Sequence, residues 1–91
     1  MADDAAFRLL FDVIRLRIRQ ARRTRGLSQE DVAGKIPADV RILQRYEARE
    51  SDVSDPRLKS LYKIAMAIGI DLADLLRPPS ENELRELEDR D

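Results

Sequence analysis

Arg41 and Arg45, four residues apart, are the side chains of this sequence best suited to a specific polar chemistry. On a helix, positions i and i+4 share one face. A guanidinium there can grip the O6 and N7 of a guanine with two hydrogen bonds. Gln44 stands beside them and can read an adenine or take a phosphate, and Val40 can meet a thymine methyl. The bland alternative is that two arginines on a helix face are ordinary solvated surface. Catalytic chemistry is poorly supplied. The 91 residues include no His and no Cys, so the commonest general base, the commonest metal ligands and the thiol nucleophile are missing. Carboxylates are plentiful, but they fall at helix caps and in tails, where solvation is the default. No glycine-rich phosphate loop is written in the sequence. The chain reads as a non-enzyme, with no cofactor, no metal and no small-molecule ligand expected.

The element that must hold Arg41 and Arg45 is the second of two short helices expected within Ser28 to Glu47, SQEDVAGKIPADVRILQRYE. Ser28 is a good N-cap, with Asp31 three residues on to complete a capping box. Val32, Ala33 and Ile36 then recur at helical spacing. Pro37 is expected to stop that helix, because it has no amide donor and disfavours the α conformation in the residue before it. Asp39 is a second N-cap, and Val40, Leu43 and Tyr46 form the apolar stripe of the next helix. Two helices this short, joined by a few residues, match a helix-turn-helix unit whose second helix can enter the DNA major groove.

From Ile14 to Leu76 the chain resembles the Cro/lambda-repressor-type (XRE-like) helix-turn-helix DNA-binding domain. The likeness is carried by Ile18-Arg19, Arg22, Arg25-Gly26-Leu27-Ser28-Gln29, Val32-Ala33, Arg45-Tyr46-Glu47 and Leu58 through Leu76. Four residues depart from the family pattern. Pro37 stands where the family usually has Gly, Ile42 where it has a small hydroxyl, and Ala48 and Arg49 where Gly follows the aromatic-Glu pair. The resemblance implies an all-α, five-helix lambda-repressor-like fold with an extended first helix. It also implies that the helix at about 39–48 reads the groove, and that Gln29 meets a DNA phosphate at a helix N-terminus, where free amides and the positive dipole end favour anions. The expected DNA-binding set is therefore Gln29, Asp39, Val40, Arg41, Gln44, Arg45 and Arg49, with Glu47 a structural partner for Arg22.

Charge distribution fits that reading better than net charge does. The total is −1, which alone argues against a nucleic-acid binder. Residues 8–49, however, hold eleven basic and five acidic side chains, whereas residues 50–91 hold six basic and eleven acidic ones. A basic half beside an acidic half suits a DNA-reading domain with non-contacting flanks. No apolar run approaches membrane length and no signal-peptide pattern opens the chain, so a soluble, cytoplasmic protein is expected.

Three regions are expected: an N-terminal extension of the first helix (1–13), the helix-turn-helix domain (14–77), and an acidic tail or short helix (78–91). Asp3 or Asp4 can cap the first helix, and Gly26 can end it. Phe7, Leu10, Phe11, Ile14, Ile18 and Ala21 should face the core. Leu9, Val13 and Leu16 form a second apolar stripe, which either joins a homodimer or merges with the first beneath the C-terminal segment. Pro56 under an Asp55 cap should open a fourth helix with Leu58, Leu61, Ile64, Ala65 and Ile68 in the core, and Gly69 should stop it. Asp71 caps a fifth helix. Ser80 and Glu83 make another capping box, with Leu84 and Leu87 the apolar residues beyond it. Two functions are in view: a dimeric, sequence-specific DNA-binding transcriptional repressor acting on double-stranded DNA, or an interaction module of the same fold, such as an antitoxin or a partner-binding regulator.

Overall fold

A computed structural model describes residues 2–35, 40–48 and 55–89. Six α-helices and no strand occur among them: α1 (Ala2–Thr24), α2 (Gln29–Ala33), α3 (Val40–Glu47), α4 (Leu58–Ile68), α5 (Leu72–Leu76) and α6 (Glu81–Glu88). The all-α class with a long first helix is as the residue pattern predicts. Local chemistry fixes several of the boundaries. Gly26 and Gly69 adopt φ of 68° and 96°, a left-handed conformation that costs glycine nothing and ends α1 and α4. The Ser28 hydroxyl accepts from the Asp31 amide at 3.0 Å while the Asp31 carboxylate accepts from the Ser28 amide at 2.9 Å, the reciprocal pair that starts α2. Ser80 and Glu83 repeat this at α6, with distances of 3.0 and 3.2 Å.

Five helices surround one core. Phe11, Ile14 and Ile18 of α1 meet Val32 of α2, Leu43 and Tyr46 of α3, Leu61, Ile64, Ala65, Ala67 and Ile68 of α4, and Leu75 of α5. The Phe11 and Tyr46 rings pack edge to face at 6.2 Å, which seats α3 on α1.

Several expectations are corrected. α1 already begins at Ala2, so Asp3 and Asp4 lie inside its first turn, past the N-cap position. Phe7, expected in the core, is 39% exposed, with its ring tilted against that of Phe11 at 6.4 Å. α2 ends at Ala33, with the Gly34 amide turned back onto the carbonyls of Glu30 and Val32. Pro37, the expected stop, lies outside the described residues, as do Ile36 and the Asp39 cap. α4 begins at Leu58 with Arg57 in extended conformation at its N-cap, two residues later than a start at Pro56. The Arg57 amide donates to the Tyr46 hydroxyl at 3.1 Å and so is held out of the helix. Leu58, expected in the core, is 63% exposed at that helix's first position.

The second apolar stripe of α1 does not stand free. Val13 and Leu16 are buried, and only Leu9 is exposed. Arg17 and Gln20, one turn further along the same face, hold α6 by hydrogen bonds to Glu83 and Glu86. α6 packs on this side of α1 with Leu84 and Leu87 half-buried. Of the two fates expected for the stripe, burial within the chain is the one Val13 and Leu16 adopt, while Leu9 stays exposed.

Candidate nucleic-acid interface

α3 is built to offer one face to solvent. Leu43 and Tyr46 anchor it in the core, and Arg41, Gln44 and Arg45 lie exposed on the opposite face. The spacing drives this division, since 41, 44 and 45 fall together on a helix and 43 and 46 fall across from them. Val40 opens the helix. Asp39 and Arg49, the other two residues expected at the groove, lie outside the described residues.

The last residue of α3 ties it to α1. Arg22 donates from Nε to Glu47 Oε2 at 2.8 Å and from Nη2 to Glu47 Oε1 at 2.9 Å, a bidentate pair in which the carboxylate side chain is 2% exposed. Its third bond, from Nη1 to the Leu27 carbonyl at 2.9 Å, fixes the turn between α1 and α2. The hydrogen bonds to Glu47 push the Arg22 guanidinium above its ordinary value despite the cost of burial. Arg19 adds a bond from Nη2 to the Glu47 carbonyl at 2.8 Å, satisfying an orphan carbonyl at the C-terminal end of α3. These contacts set the angle at which α3 leaves the body.

Gln29 is half-buried at the start of α2 and donates from Nε2 to Glu47 Oε1 at 3.4 Å, a long bond. It lines an open depression shared with Arg19, Arg22, Arg23, Ser28, Glu30, Gln44, Glu47 and Ala48. Three α1 arginines therefore converge beside the α2 start and next to Gln44 of α3. Its lining sets three guanidinium groups against the two carboxylates of Glu30 and Glu47, a positive balance that suits an anionic oxygen. Sequence reasoning singled out Gln29 and Gln44 here but left out Arg19 and Arg23. The available signal was the run Arg19, Arg22, Arg23 on one side of the last turns of α1. The expected pairing of Arg22 with Glu47 is formed.

A buried cation on the far side of α1 was not foreseen. Arg17, 8% exposed, donates to the carbonyls of Leu75 (2.9 Å), Arg77 (2.6 Å) and Pro78 (3.0 Å), and to both Glu83 oxygens (2.6 and 2.8 Å). All five guanidinium N–H groups can be satisfied this way, which makes its burial tolerable. The Arg17 bonds, with the Ser80 cap, hold the Glu83 carboxyl down at about 2.

A family model described as helix-turn-helix matches residues 18–75. The chain therefore belongs to the Cro/C1-type, XRE-like helix-turn-helix family, a family of DNA-binding domains. No curated protein and no solved structure gives a significant match. Among the described residues, no helix is long and apolar enough to cross a membrane.

Proposed function

We propose that this chain is a sequence-specific transcriptional repressor that reads the DNA major groove with α3. The observation that carries the reading is the solvent face of α3, where Arg41, Gln44 and Arg45 stand exposed while Arg22 and Glu47 clamp the helix end to α1. In this reading Arg41 and Arg45 contact base edges, Gln44 takes an adenine or a phosphate, and Val40 meets a thymine methyl. Asp39 and Arg49, next to α3 in sequence, complete the proposed DNA-binding set. Gln29, with Arg19 and Arg23 beside it, takes the phosphates that fix register without reading sequence. A repressor acts by occupancy, which needs nothing beyond such a surface.

One copy covers one half-site, so the proposal includes a homodimer reading half-sites about 34–36 Å apart. With Val13 and Leu16 buried, support for the joining surface shifts to the exposed apolar side chains of α4 and α5. Leu58, Tyr62 and Met66 recur every four residues along α4 at 63%, 49% and 60% exposure, and Leu76 adds 40% on α5. The experiment that tests the function is the salt dependence of binding to random duplex. A DNA-binding repressor should show a steep linear fall of log affinity with log salt. A module that binds only a protein partner should show none.

A further inference from the structure

We propose that α6 restrains non-specific DNA binding by setting acidic side chains beside the basic end of α1. This inference rests on the reading that the depression at Arg19, Arg23, Gln29 and Gln44 meets the DNA backbone.

Two hydrogen-bonded pairs fix the direction of α6. Arg17 pairs with Glu83 and Gln20 with Glu86, and both pairs are separated by 66 residues. A constant offset means that the two helices run parallel and rise together. At about 1.5 Å per residue, Glu88 comes level with Arg22, one residue short of Arg23. Packed helix axes lie about 8–10 Å apart, close to the Debye length of about 8 Å at physiological salt. Arg23 lies one turn beyond Gln20, toward the side of α1 that meets α6, so the carboxylate ending α6 comes within electrostatic reach of Arg23, the member of the guanidinium cluster on that side, while Arg22 faces Glu47 across α1.

The arrangement is held in place and strongly one-signed. Residues 81–89 hold five acids and one base. The Glu83 carboxylate is engaged by the buried Arg17 guanidinium, and Glu86 accepts from Gln20 at 2.9 and 3.0 Å. These contacts orient the helix, and Glu88 and Asp89 remain exposed at its far end. A DNA phosphate approaching Arg23 meets a field already lowered by these acids. Binding that relies on phosphates alone is weakened, while contacts to base edges across α3 are affected less. The consequence is a larger ratio of specific to non-specific affinity from a chain that is acidic overall.

Glu81 supplies an internal comparison. It sits seven residues before Glu88, on the same face of α6 and about 10 Å further from Arg23 along the axis. Glu88→Gln and Glu81→Gln change net charge equally. Fluorescence anisotropy with a random-sequence duplex at about 0.1 M salt is expected to show Glu88→Gln binding about twofold to fourfold tighter than wild type. Glu81→Gln should show less than half that gain, and the difference should vanish near 0.5 M salt, where the Debye length falls to about 4 Å. Equal gains in the two variants would mean that only net charge matters and would overturn the proposal, as would no gain in Glu88→Gln. If neither wild type nor either variant binds duplex at all, the DNA-binding reading itself fails, a result distinct from the other two.

Discussion

Replacing Glu47 by Ala tests whether the pair joining α1 to α3 is structural. The carboxylate side chain is 2% exposed and accepts two bonds from Arg22 at 2.8 and 2.9 Å and a longer one from Gln29. Its removal leaves the Arg22 guanidinium, itself only 10% exposed, with the Leu27 carbonyl as its remaining partner in this network. Breaking a buried ion pair from one side costs about 3–5 kcal/mol, because the surviving charge keeps its desolvation penalty. That is a large share of the roughly 5–15 kcal/mol that holds a small domain folded. At roughly 4–8 °C per kcal/mol for a chain of this size, the melting temperature should fall by at least about 12 °C. Removing both charges should cost far less, since Arg22→Met with Glu47→Leu leaves no uncompensated ion. Urea and thermal unfolding followed by circular dichroism give all three stabilities. A loss below about 1 kcal/mol in Glu47→Ala, or a double variant no better than the single, would refute the reasoning.

Three further outcomes follow from the same structure. Gln29→Ala should weaken binding to every duplex alike by about fivefold, the worth of one hydrogen bond of about 1 kcal/mol, and a loss confined to one sequence in competition assays would count against a phosphate contact. Glu83 titrates well below the usual carboxylate range in the folded state, so its contribution is present above about pH 4.5 and lost as pH falls toward about 2. The stability gap between wild type and Glu83→Gln should therefore be about 2 kcal/mol near pH 6, allowing for partial solvation of the side chain, and close as pH approaches 2 in urea titrations; a gap independent of pH would be contrary. Tyr62→Glu with Met66→Glu should sediment as a monomer at micromolar concentration where wild type sediments as a dimer, and a double variant still dimeric would move the interface elsewhere.

Local rules made much of this fold legible in the sequence. The capping boxes at Ser28 and Ser80 and the glycine stops at 26 and 69 each depend on residues within a few positions of one another, so composition and spacing suffice to find them. Leu43 and Tyr46 could be placed inward for the same reason, leaving Arg41, Gln44 and Arg45 on the outer face. The pairing of Arg22 with Glu47 spans 25 residues and was legible through family resemblance, not through spacing. What stayed hidden depends on where distant segments land. Nothing adjacent to Arg17 in sequence marks it for burial, yet it bonds carbonyls 58 to 61 residues away that become available only once α5 ends beside α1. Val13 and Leu16 left two fates open, because the capping box at Ser80 marks the start of α6 but not where α6 lands on α1. Leu58 fits the periodicity of a core position, but the Tyr46 hydroxyl holds the Arg57 amide outside the helix and leaves Leu58 at an exposed start.

The central claim is that α3 reads sequence through Arg41 and Arg45. Its most direct test is selection of bound duplexes from a random library by wild type, Arg41→Ala and Arg45→Ala, followed by affinity measurement on the enriched site. The account predicts an enriched motif with two-fold symmetry, a loss of about 1–3 kcal/mol on that site for each variant, and relaxed preference at a different base position for each. No enrichment by wild type, or both variants selecting the unchanged motif at full affinity, would contradict it.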